Sequence, residues 1–190
     1  MTGTTAQRGR EEGPPPPLPS DFATLYEQHV TFVWNNCRRL GVQPAQLDDA
    51  VQDIFLAVYR RLPEFRGEAS FKTWLFHFVL RVAATYRRTG KANQRRIDAQ
   101  SAEPTTPSAT PDGTVEGKQA TELMYRLLDE LSEERREIFV LVELEELSVA
   151  DAARALQLNQ NTAHSRLRDA RRDFAEAVER ERAREGWRTR

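Results

Sequence analysis

The sequence predicts an all-α protein: two small helical domains joined by a flexible linker, the C-terminal one a helix-turn-helix. Three observations favour this fold class. Apolar residues recur at three- and four-residue steps along two separate stretches of the 190-residue chain. Eight of the ten prolines lie outside those stretches, where they cannot interrupt a helix. Near the C-terminus, a short helical pattern, a brief turn and a longer helical pattern follow one another, as in a helix-turn-helix.

The prolines divide the chain into five segments. Five of them crowd the stretch from Pro14 to Pro19, and three more follow the first helical stretch, among Ser, Thr, Gly and Gln: Pro104, Pro107 and Pro111. Because proline removes a backbone donor and breaks helices, both clusters predict segments without a packed core. The predicted segments are a disordered leader (1–19), a helical domain (20–90), a flexible linker (91–117), a helix-turn-helix domain (118–184) and a tail (185–190).

The cysteine content and the apolar pattern of the sequence indicate the cellular compartment. A single cysteine, Cys37, excludes an internal disulfide and fits a reducing compartment. The chain begins without the charged and then apolar pattern of a signal peptide. Its longest apolar run, Trp74 to Ala84, is interrupted by His77 and Arg81 and is too short to span a bilayer. We therefore expect a cytoplasmic protein with no membrane insertion.

The first domain contains three predicted helices with apolar residues on one face. The first helix ends at Gly41, and the second ends before Pro63. Ser70 is positioned to cap a third helix, which we expect to run to about Arg88.

The second domain begins with a leucine-rich helical stripe, after which Ser132 is predicted to cap the next helix. Ser148 and Asp151 fit a capping box at the start of a short helix. A tight turn at residues 157–159 then leads into a longer helix. This is the arrangement of a helix-turn-helix.

One segment of the first domain is strongly basic although the formal net charge of the chain is −1. Between Arg66 and Arg96 there are eight Lys or Arg residues and one acid, Glu68. Six aromatic residues lie in this stretch or directly before it: Phe65, Phe71, Trp74, Phe76, Phe78 and Tyr86. Cations neutralise phosphates and aromatic rings stack on unpaired bases, so the segment predicts a nucleic-acid surface. The alternative is a helix whose aromatics fill a core while its arginines are only solvated.

The last long helix carries hydrogen-bonding side chains opposite its apolar face. They are Gln160, Asn161, His164, Ser165, Arg168, Arg171 and Arg172. Asn and Gln can pair with adenine and Arg with guanine, so this face favours binding to duplex DNA over an ordinary solvated surface.

Nothing in the sequence indicates catalysis, a metal or a cofactor. The three histidines lie in separate predicted elements without matching Cys or carboxylate spacing. There is no Gly-rich phosphate loop and no nucleophile beside a base. We therefore expect a binding protein rather than an enzyme, with no cofactor.

Three segments resemble, in the same order, motifs of the extracytoplasmic-function (ECF) group of bacterial RNA polymerase sigma factors. Residues 49–56 (D-A-V-Q-D-I-F-L) are similar to D-x-V-Q-E-x-F-L, and residues 65–75 (F-R-G-E-A-S-F-K-T-W-L) are similar to F-R-G-E-A-S-F-x-T-W-L. Residues 147–171 resemble L-S-x-x-E-I-A…G-T-V-K-S-R-L-x-x-A-R. The resemblance covers about 150 residues and both domains.

The resemblance implies a sigma factor that binds core RNA polymerase, directs it to promoters and helps melt the DNA. The first domain would dock on the polymerase through Asp49, Gln52, Asp53 and Leu56. It would bind the promoter −10 element through Phe65, Arg66, Phe71, Lys72, Arg81, Arg87 and Arg88. Trp74 is expected in the core instead. The outward residues of the last helix would bind the −35 element, and an anti-sigma factor is an implied partner.

Some residues depart from the family pattern. Arg81 stands where Asn is common in the third helix, and Gln157, Asn159 and Asn161 replace residues that are usually Gly or Pro near the last turn. Because Asn tolerates left-handed backbone better than most residues, we expect the turn to survive. Asp169 is expected to face away from DNA or to pair with a neighbouring arginine. The sequence also leaves open a free-standing DNA-binding regulator that works without polymerase.

Overall fold

The computed structural model of the chain describes residues 22–67, 70–98 and 115–188. These ranges contain helices and turns and no β-strand, so the predicted all-α class is confirmed. Their α-helices are α1 (Phe22–Arg39), α2 (Leu47–Arg61), α3 (Phe71–Asp98), α4 (Val115–Asp129), α5 (Glu133–Phe139), α6 (Val149–Ala155) and α7 (Gln160–Arg188). The predicted leader, residues 99–114 of the predicted linker and the last two residues of the predicted tail lie outside the described residues.

Helices α1, α2 and α3 form the N-terminal domain. Their apolar residues meet in a shared core that includes Leu25, Val33, Cys37, Ile54, Val58, Leu75, Phe76 and Val79. Helix α1 ends as predicted beside Gly41, whose φ of +88° lets the Val42 N–H turn back to the Cys37 carbonyl at 3.0 Å. Helix α2 ends at Arg61, before Pro63, and one 3₁₀ turn (Leu62–Glu64) follows it.

Helices α4 to α7 form the C-terminal domain. A turn of π-helix (Val140–Leu144) continues α5, and the chain then enters α6. Helices α6 and α7 pack closely because small residues face each other: Ala152, Ala153, Ala163 and Ala170 are all buried. Phe139 and Phe174 stack with ring centroids 4.6 Å apart and close the other end of this core. The predicted helix-turn-helix is therefore present.

Serine begins three of these helices, and two of the three predicted caps form. The Thr73 N–H donates to Ser70 Oγ at 3.1 Å, and the Asp151 N–H donates to Ser148 Oγ at 3.1 Å. Each such bond satisfies an otherwise unpaired helical N–H and contributes about 1 kcal/mol. Ser132 occupies the N-cap position of α5, but its side chain makes no capping bond. That part of the prediction was wrong.

The helices extend beyond the boundaries expected from composition. Helix α3 continues to Asp98, past the expected end near Arg88, and α7 continues to Arg188, into the predicted tail. In residues 89–98 the residue with the lowest helix propensity is Gly90, and one glycine costs a helix only about 1 kcal/mol. A polar composition alone does not end a helix; the prolines that would do so begin at Pro104.

The two domains are in direct contact. Their buried apolar side chains form one connected cluster, and helix α1 packs against α4. Ion pairs across the boundary accompany this contact, for example between Arg39 and Glu145. The sequence patterns identified the two domains but gave no indication that they pack together.

The reactivity of Cys37, in α1, tests how the core of the N-terminal domain is packed. The side chain is fully buried in the core, and burial raises the pKa of its thiol to about 12. We expect native protein to be unreactive towards a thiol reagent such as DTNB at pH 8, and one thiol to react once the chain is unfolded in guanidinium. A Gln28→Cys variant, with the new thiol exposed on α1, is the positive control. Reaction of native Cys37 at the rate of this control would contradict the packing.

Candidate functional site

Four residues predicted to dock on polymerase lie on one exposed face of α2. Asp49, Gln52, Asp53 and Leu56 are all exposed, and Leu56 retains 44% of its accessible surface. Spacings of three and four residues bring them onto neighbouring turns of the helix. The structure therefore brings together all four residues of this prediction.

The α2 face is aromatic as well as acidic, which the sequence patterns did not indicate. Tyr59 is 61% exposed and Tyr26 is 40% exposed. Tyr59 packs edge-on against Phe22, and Tyr26 packs against Phe55, with centroid separations of 5.0 and 4.6 Å. Because Tyr59 follows Leu56 by three residues, helical spacing from the acidic motif was the signal that could have found it.

A hydrogen bond holds Asp53 in place on this face. The Tyr86 hydroxyl, on α3, donates to Asp53 Oδ2 at 2.7 Å. Partial burial, the hydrogen bond and the carboxylate charge together raise the pKa of Tyr86 to about 12. The phenol therefore stays protonated as a donor, and the Asp53 carboxylate has a defined orientation.

The aromatic residues at the start of α3 form a half-buried cluster. Ring centroids of Phe65 and Phe71 are 5.5 Å apart, and those of Phe65 and Trp74 are 5.2 Å apart. Phe78 continues the cluster at 4.7 Å from Trp74. Trp74 was expected in the core, but it is only partly buried, like Phe65 and Phe71. All three residues therefore keep some exposed surface within one cluster.

The cations predicted to bind −10 DNA fall into two groups. Arg66 and Arg81 are exposed, and their side chains make no hydrogen bond or ion pair within the described residues. Arg88 is also exposed, and its side chain contacts only the Thr85 hydroxyl, at 3.4 Å. Lys72 is exposed, but its Nζ lies 3.0 Å from Glu145 of the other domain. The first three can contact phosphate without any rearrangement.

Arg87 is placed differently from its prediction. Its side chain is 3% exposed and donates to the Leu40 carbonyl at 2.7 Å and to Glu137 at 2.8 Å, and it also pairs with Glu133. In this conformation Arg87 cannot contact DNA. A guanidinium can satisfy its donors inside the protein when carboxylates face it, and sequence spacing does not show those carboxylates because they lie in the other domain.

The outward face of α7 is largely as predicted. Gln160, Asn161, His164 and Arg168 are exposed and make no side-chain hydrogen bonds within the described part of the chain. Ser165 is half-buried, and its hydroxyl donates to the Thr162 carbonyl at 3.0 Å. The four exposed side chains are therefore available to a partner, whereas the Ser165 hydroxyl already has one.

Two arginines of the same face are paired with acids. Arg171 donates through Nε and Nη2 to Glu143, at 2.9 and 2.7 Å. Arg172 contacts Asp169 at 3.2 Å and Asp173 at 3.3 Å. The expectation that Asp169 pairs with a neighbouring arginine is confirmed. Nearby acids reduce the positive electrostatic potential around both arginines. Among the arginines of this face, the potential is therefore highest at Arg168.

The turn between α6 and α7 uses a residue that was not expected. Gln157, not an asparagine, adopts the left-handed conformation, with φ of +56°. The Leu158 N–H then reaches the Ala153 carbonyl at 2.8 Å and closes the end of α6. Asn159 instead accepts a bond from the Thr162 N–H at 2.8 Å and so caps α7.

The described residues contain neither a candidate metal site nor a candidate membrane span. No group of three or more His, Cys, Asp or Glu residues there could hold a metal ion. Among the helices described, none has the length and hydropathy needed to cross a membrane. Burial lowers the pKa of both His29 and His77, and the Lys72 charge adds to the effect at His29.

Two segments of the chain match known families. Residues 25–93 match the family described as Sigma-70 region 2, and residues 121–174 match Sigma-70, region 4. RNA polymerase sigma factor NccH of Alcaligenes xylosoxydans xylosoxydans is 28% identical over 153 residues, 79% of this chain and 82% of that protein. The ECF RNA polymerase sigma-E factor of Escherichia coli (strain K12) is 28% identical over 138 residues, 68% of this chain and 72% of that protein.

Two solved structures share the fold. The sigma factor RpoE in complex with the anti-sigma factor NepR, from Bartonella quintana, superposes with a TM-score of 0.67 at 20% identity, covering 85% of this chain and 98% of that one. CnrH in complex with the cytosolic domain of CnrY gives a TM-score of 0.61 at 22% identity, covering 83% and 87%.

The left-handed conformation of Gln157 is expected to lower the stability of the turn relative to a turn with glycine at this position. We expect Gln157→Gly to raise the free energy of unfolding by about 1 kcal/mol, because glycine adopts positive φ without steric cost. The same change at Gln119, an exposed position in α4, should instead lower it by a similar amount. Urea denaturation of both variants measures the two signs; a destabilised Gln157→Gly variant would contradict the conformation.

Proposed function

This chain belongs to the ECF group of the sigma-70 family, and we propose which of its surfaces performs each part of promoter recognition. As a sigma factor it binds core RNA polymerase, directs it to specific promoters and takes part in transcription initiation. We assign it no catalytic role, because the chemistry of RNA synthesis belongs to the polymerase. We place it in the cytoplasm, where polymerase and promoter DNA are found.

The exposed face of α2 is the proposed polymerase-docking surface. Asp49, Gln52 and Asp53 supply carboxylates and an amide that suit a basic protein partner and would repel DNA. Leu56 and Tyr59 add exposed apolar area beside them, which becomes favourable once a partner excludes water. Because Tyr86 holds Asp53 in one orientation, little side-chain freedom is lost on binding.

The start of α3 and the loop before it form the proposed −10 surface. Phe65, Phe71 and Trp74 offer ring faces for an unpaired base, and Arg66 and Arg81 lie in the same segment to hold phosphates. Unstacking a duplex costs a few kcal/mol per step, and stacking a base on an aromatic ring returns about 1–3 kcal/mol. The domain can therefore capture a melted strand, but polymerase must help to open it.

Helix α7 is the proposed −35 reader. The observation that carries this assignment is that Gln160, Asn161, His164 and Arg168 project from the second helix of a helix-turn-helix with no partner in the described chain. A recognition helix presents such residues to base edges in the major groove. Arg171 and Arg172, which are paired with acids, are assigned to the phosphate backbone.

An anti-sigma factor is a further proposed partner. RpoE, which shares this fold, is solved in complex with the anti-sigma factor NepR, and CnrH, which also shares it, is solved in complex with the cytosolic domain of CnrY.

Binding of the isolated chain to promoter DNA distinguishes the sigma role from that of a free-standing regulator. A sigma factor binds weakly until core polymerase is added, whereas a free-standing regulator binds tightly alone.

Charge reversal tests the docking surface. We expect Asp49→Lys to weaken binding to core polymerase about tenfold or more, because it places a cation against a basic partner. Asp48→Lys, an equal change at the adjacent exposed position, should have a much smaller effect. Fluorescence anisotropy with labelled sigma and purified core enzyme measures both affinities, and run-off transcription reports the consequence. Equal affinities for the two variants would refute this docking face.

Substitution in α7 tests the −35 assignment. Arg168→Ala should lose about 1–3 kcal/mol of discrimination between −35 sequences without changing the affinity for core polymerase. Arg182→Ala removes the same charge from an exposed site on the same helix and should leave sequence preference unchanged. Run-off transcription by the reconstituted holoenzyme on a library of −35 variants measures the preference. An unaltered preference in Arg168→Ala would show that another surface reads this element.

A further inference from the structure

Exposed apolar side chains are concentrated in one patch of the N-terminal domain. In the part of the chain that the structure describes, the large apolar side chains that remain exposed are those of Tyr26, Leu56 and Tyr59. Tyr26 is at the start of α1, and Leu56 and Tyr59 are one helical turn apart in the second half of α2. Exposed apolar residues scattered singly are ordinary, whereas a contiguous patch marks a surface that a partner covers.

Four aromatic rings form the base of this patch. Phe22 and Tyr26 are four residues apart in α1, and the same spacing separates Phe55 from Tyr59 in α2, so each helix presents two rings on one face. The Tyr26 ring centroid lies 4.6 Å from that of Phe55, which lies 6.3 Å from that of Phe22. The Tyr59 centroid lies 5.0 Å from that of Phe22. We refer to these four rings as the aromatic row; its two ends, the tyrosines, are exposed.

The tyrosine hydroxyls at the ends of the aromatic row are available as donors. Neither makes a hydrogen bond within the described residues, in contrast to the Tyr86 hydroxyl, which donates to Asp53. Such a surface suits a ligand with apolar rings and unpaired carbonyl acceptors. A polyproline II helix has both, because its backbone carbonyls have no internal partner and its proline rings pack against aromatic side chains.

The chain carries a segment of this kind directly beside the aromatic row. Residues 14–19 read P-P-P-P-L-P and contain the P-x-x-P spacing that aromatic grooves bind. Pro19 precedes Phe22, the first residue of α1, by three positions, and three residues span at most about 11 Å. In the polyproline II conformation, six residues extend about 19 Å. The leader therefore joins the domain within reach of both exposed tyrosines.

The short connection makes even a weak contact effective. A tether as short as Ser20 and Asp21 gives an effective concentration in the millimolar range, so a segment with a dissociation constant of about 1 mM is bound in roughly half of the molecules. Proline also has a fixed φ, so the segment loses little conformational freedom when it binds. An untethered partner with the same contacts has neither advantage.

We propose that the proline-rich leader docks as a polyproline II segment on the aromatic row of its own N-terminal domain. There it covers Leu56 and Tyr59, which also belong to the proposed polymerase-docking surface. The leader and polymerase therefore compete for this face. The docking of the leader stands by itself, whereas the competition rests on the proposed function.

The test compares prolines of the leader with an equal number of prolines of the predicted linker. The leader variant is Pro16→Ser, Pro17→Ser and Pro19→Ser together, which removes both P-x-x-P spacings. The linker control is Pro104→Ser, Pro107→Ser and Pro111→Ser together. A tyrosine variant, Tyr26→Ser with Tyr59→Ser, changes the surface instead of the segment. Circular dichroism of the full-length chains verifies that all variants remain helical.

The first measurement is the position of the leader. Spin labels are placed at Gly13→Cys, directly before the prolines, and at Gln28→Cys, exposed on α1, while the buried native thiol is left in place. Pulsed electron resonance should show one narrow distance in the parent and the linker control. In the leader variant and the tyrosine variant the distance distribution should be about twice as wide or more, as for a flexible chain.

Three results of this measurement overturn the docking. A distribution in the parent as wide as in the leader variant shows that the leader is not held. A narrow distance that persists in the tyrosine variant shows that the aromatic row is not the site. A distance between singly labelled chains mixed in solution shows that the occupant is the leader of a second copy.

The second measurement is the affinity for purified core polymerase. The leader variant should bind about threefold more tightly than the parent and the linker control, since apparent affinity rises with the fraction of molecules whose docking face is free. Equal affinities together with a widened distance distribution overturn the competition and leave the docking in place. Failure of the parent to bind core polymerase overturns the proposed function instead and leaves the distance result unaffected.

Discussion

Charged groups that leave water must be paired, and this requirement governs how the two domains sit against each other. Arg87 belongs to one domain and Glu145 to the other, and each is almost completely buried. Arg87 finds two of its acceptors across the boundary, and Glu145 finds all three of its donors there. Separation would return both charges to water. The electrostatic part of the free energy of the contact is therefore a small difference between two large terms, pairing and solvation, and the burial of apolar side chains shared by the domains adds to it.

The apolar cluster that the two domains share does not depend on charge, whereas the carboxylates paired with Lys72 and Arg87 can be displaced by phosphate, which is also an anion. DNA carries a high density of such groups and binds cations strongly at moderate salt.

Local physics was enough to predict most of the fold. Apolar periodicity, the cap serines Ser70 and Ser148 and the helix-ending Gly41 act over a few residues, and each is visible in the sequence. Failures occurred where distant residues decide the outcome. The burial of Arg87 depends on its bonds to Glu133 and Glu137, which lie about fifty positions away in the sequence, and no spacing rule connects these residues. Likewise, no spacing rule shows that Glu133, in the first turn of α5, forms an ion pair with the other domain.

In the candidate site, too, features that depend on neighbouring residues were predictable, whereas features that depend on distant residues were not. The acidic face of α2 and the outward face of α7 were predictable because helical geometry alone brings their members together. Which members are available was not predictable. Arg168 is unpaired, whereas Arg171 is held by Glu143, a residue of the π-helical turn that only the fold brings alongside. The left-handed position at Gln157 was also missed, because glutamine carries no signal for positive φ.

The site residues predicted from the sequence differ in whether a partner can reach them. The proposed docking face on α2 and the proposed reading face on α7 are exposed, so contact with polymerase or with duplex DNA would need no prior rearrangement. Lys72 and Arg87, which the sequence assigned to −10 DNA, are instead engaged by carboxylates of the other domain. The type of a side chain therefore shows what it could bind, whereas the fold decides whether it is available to do so.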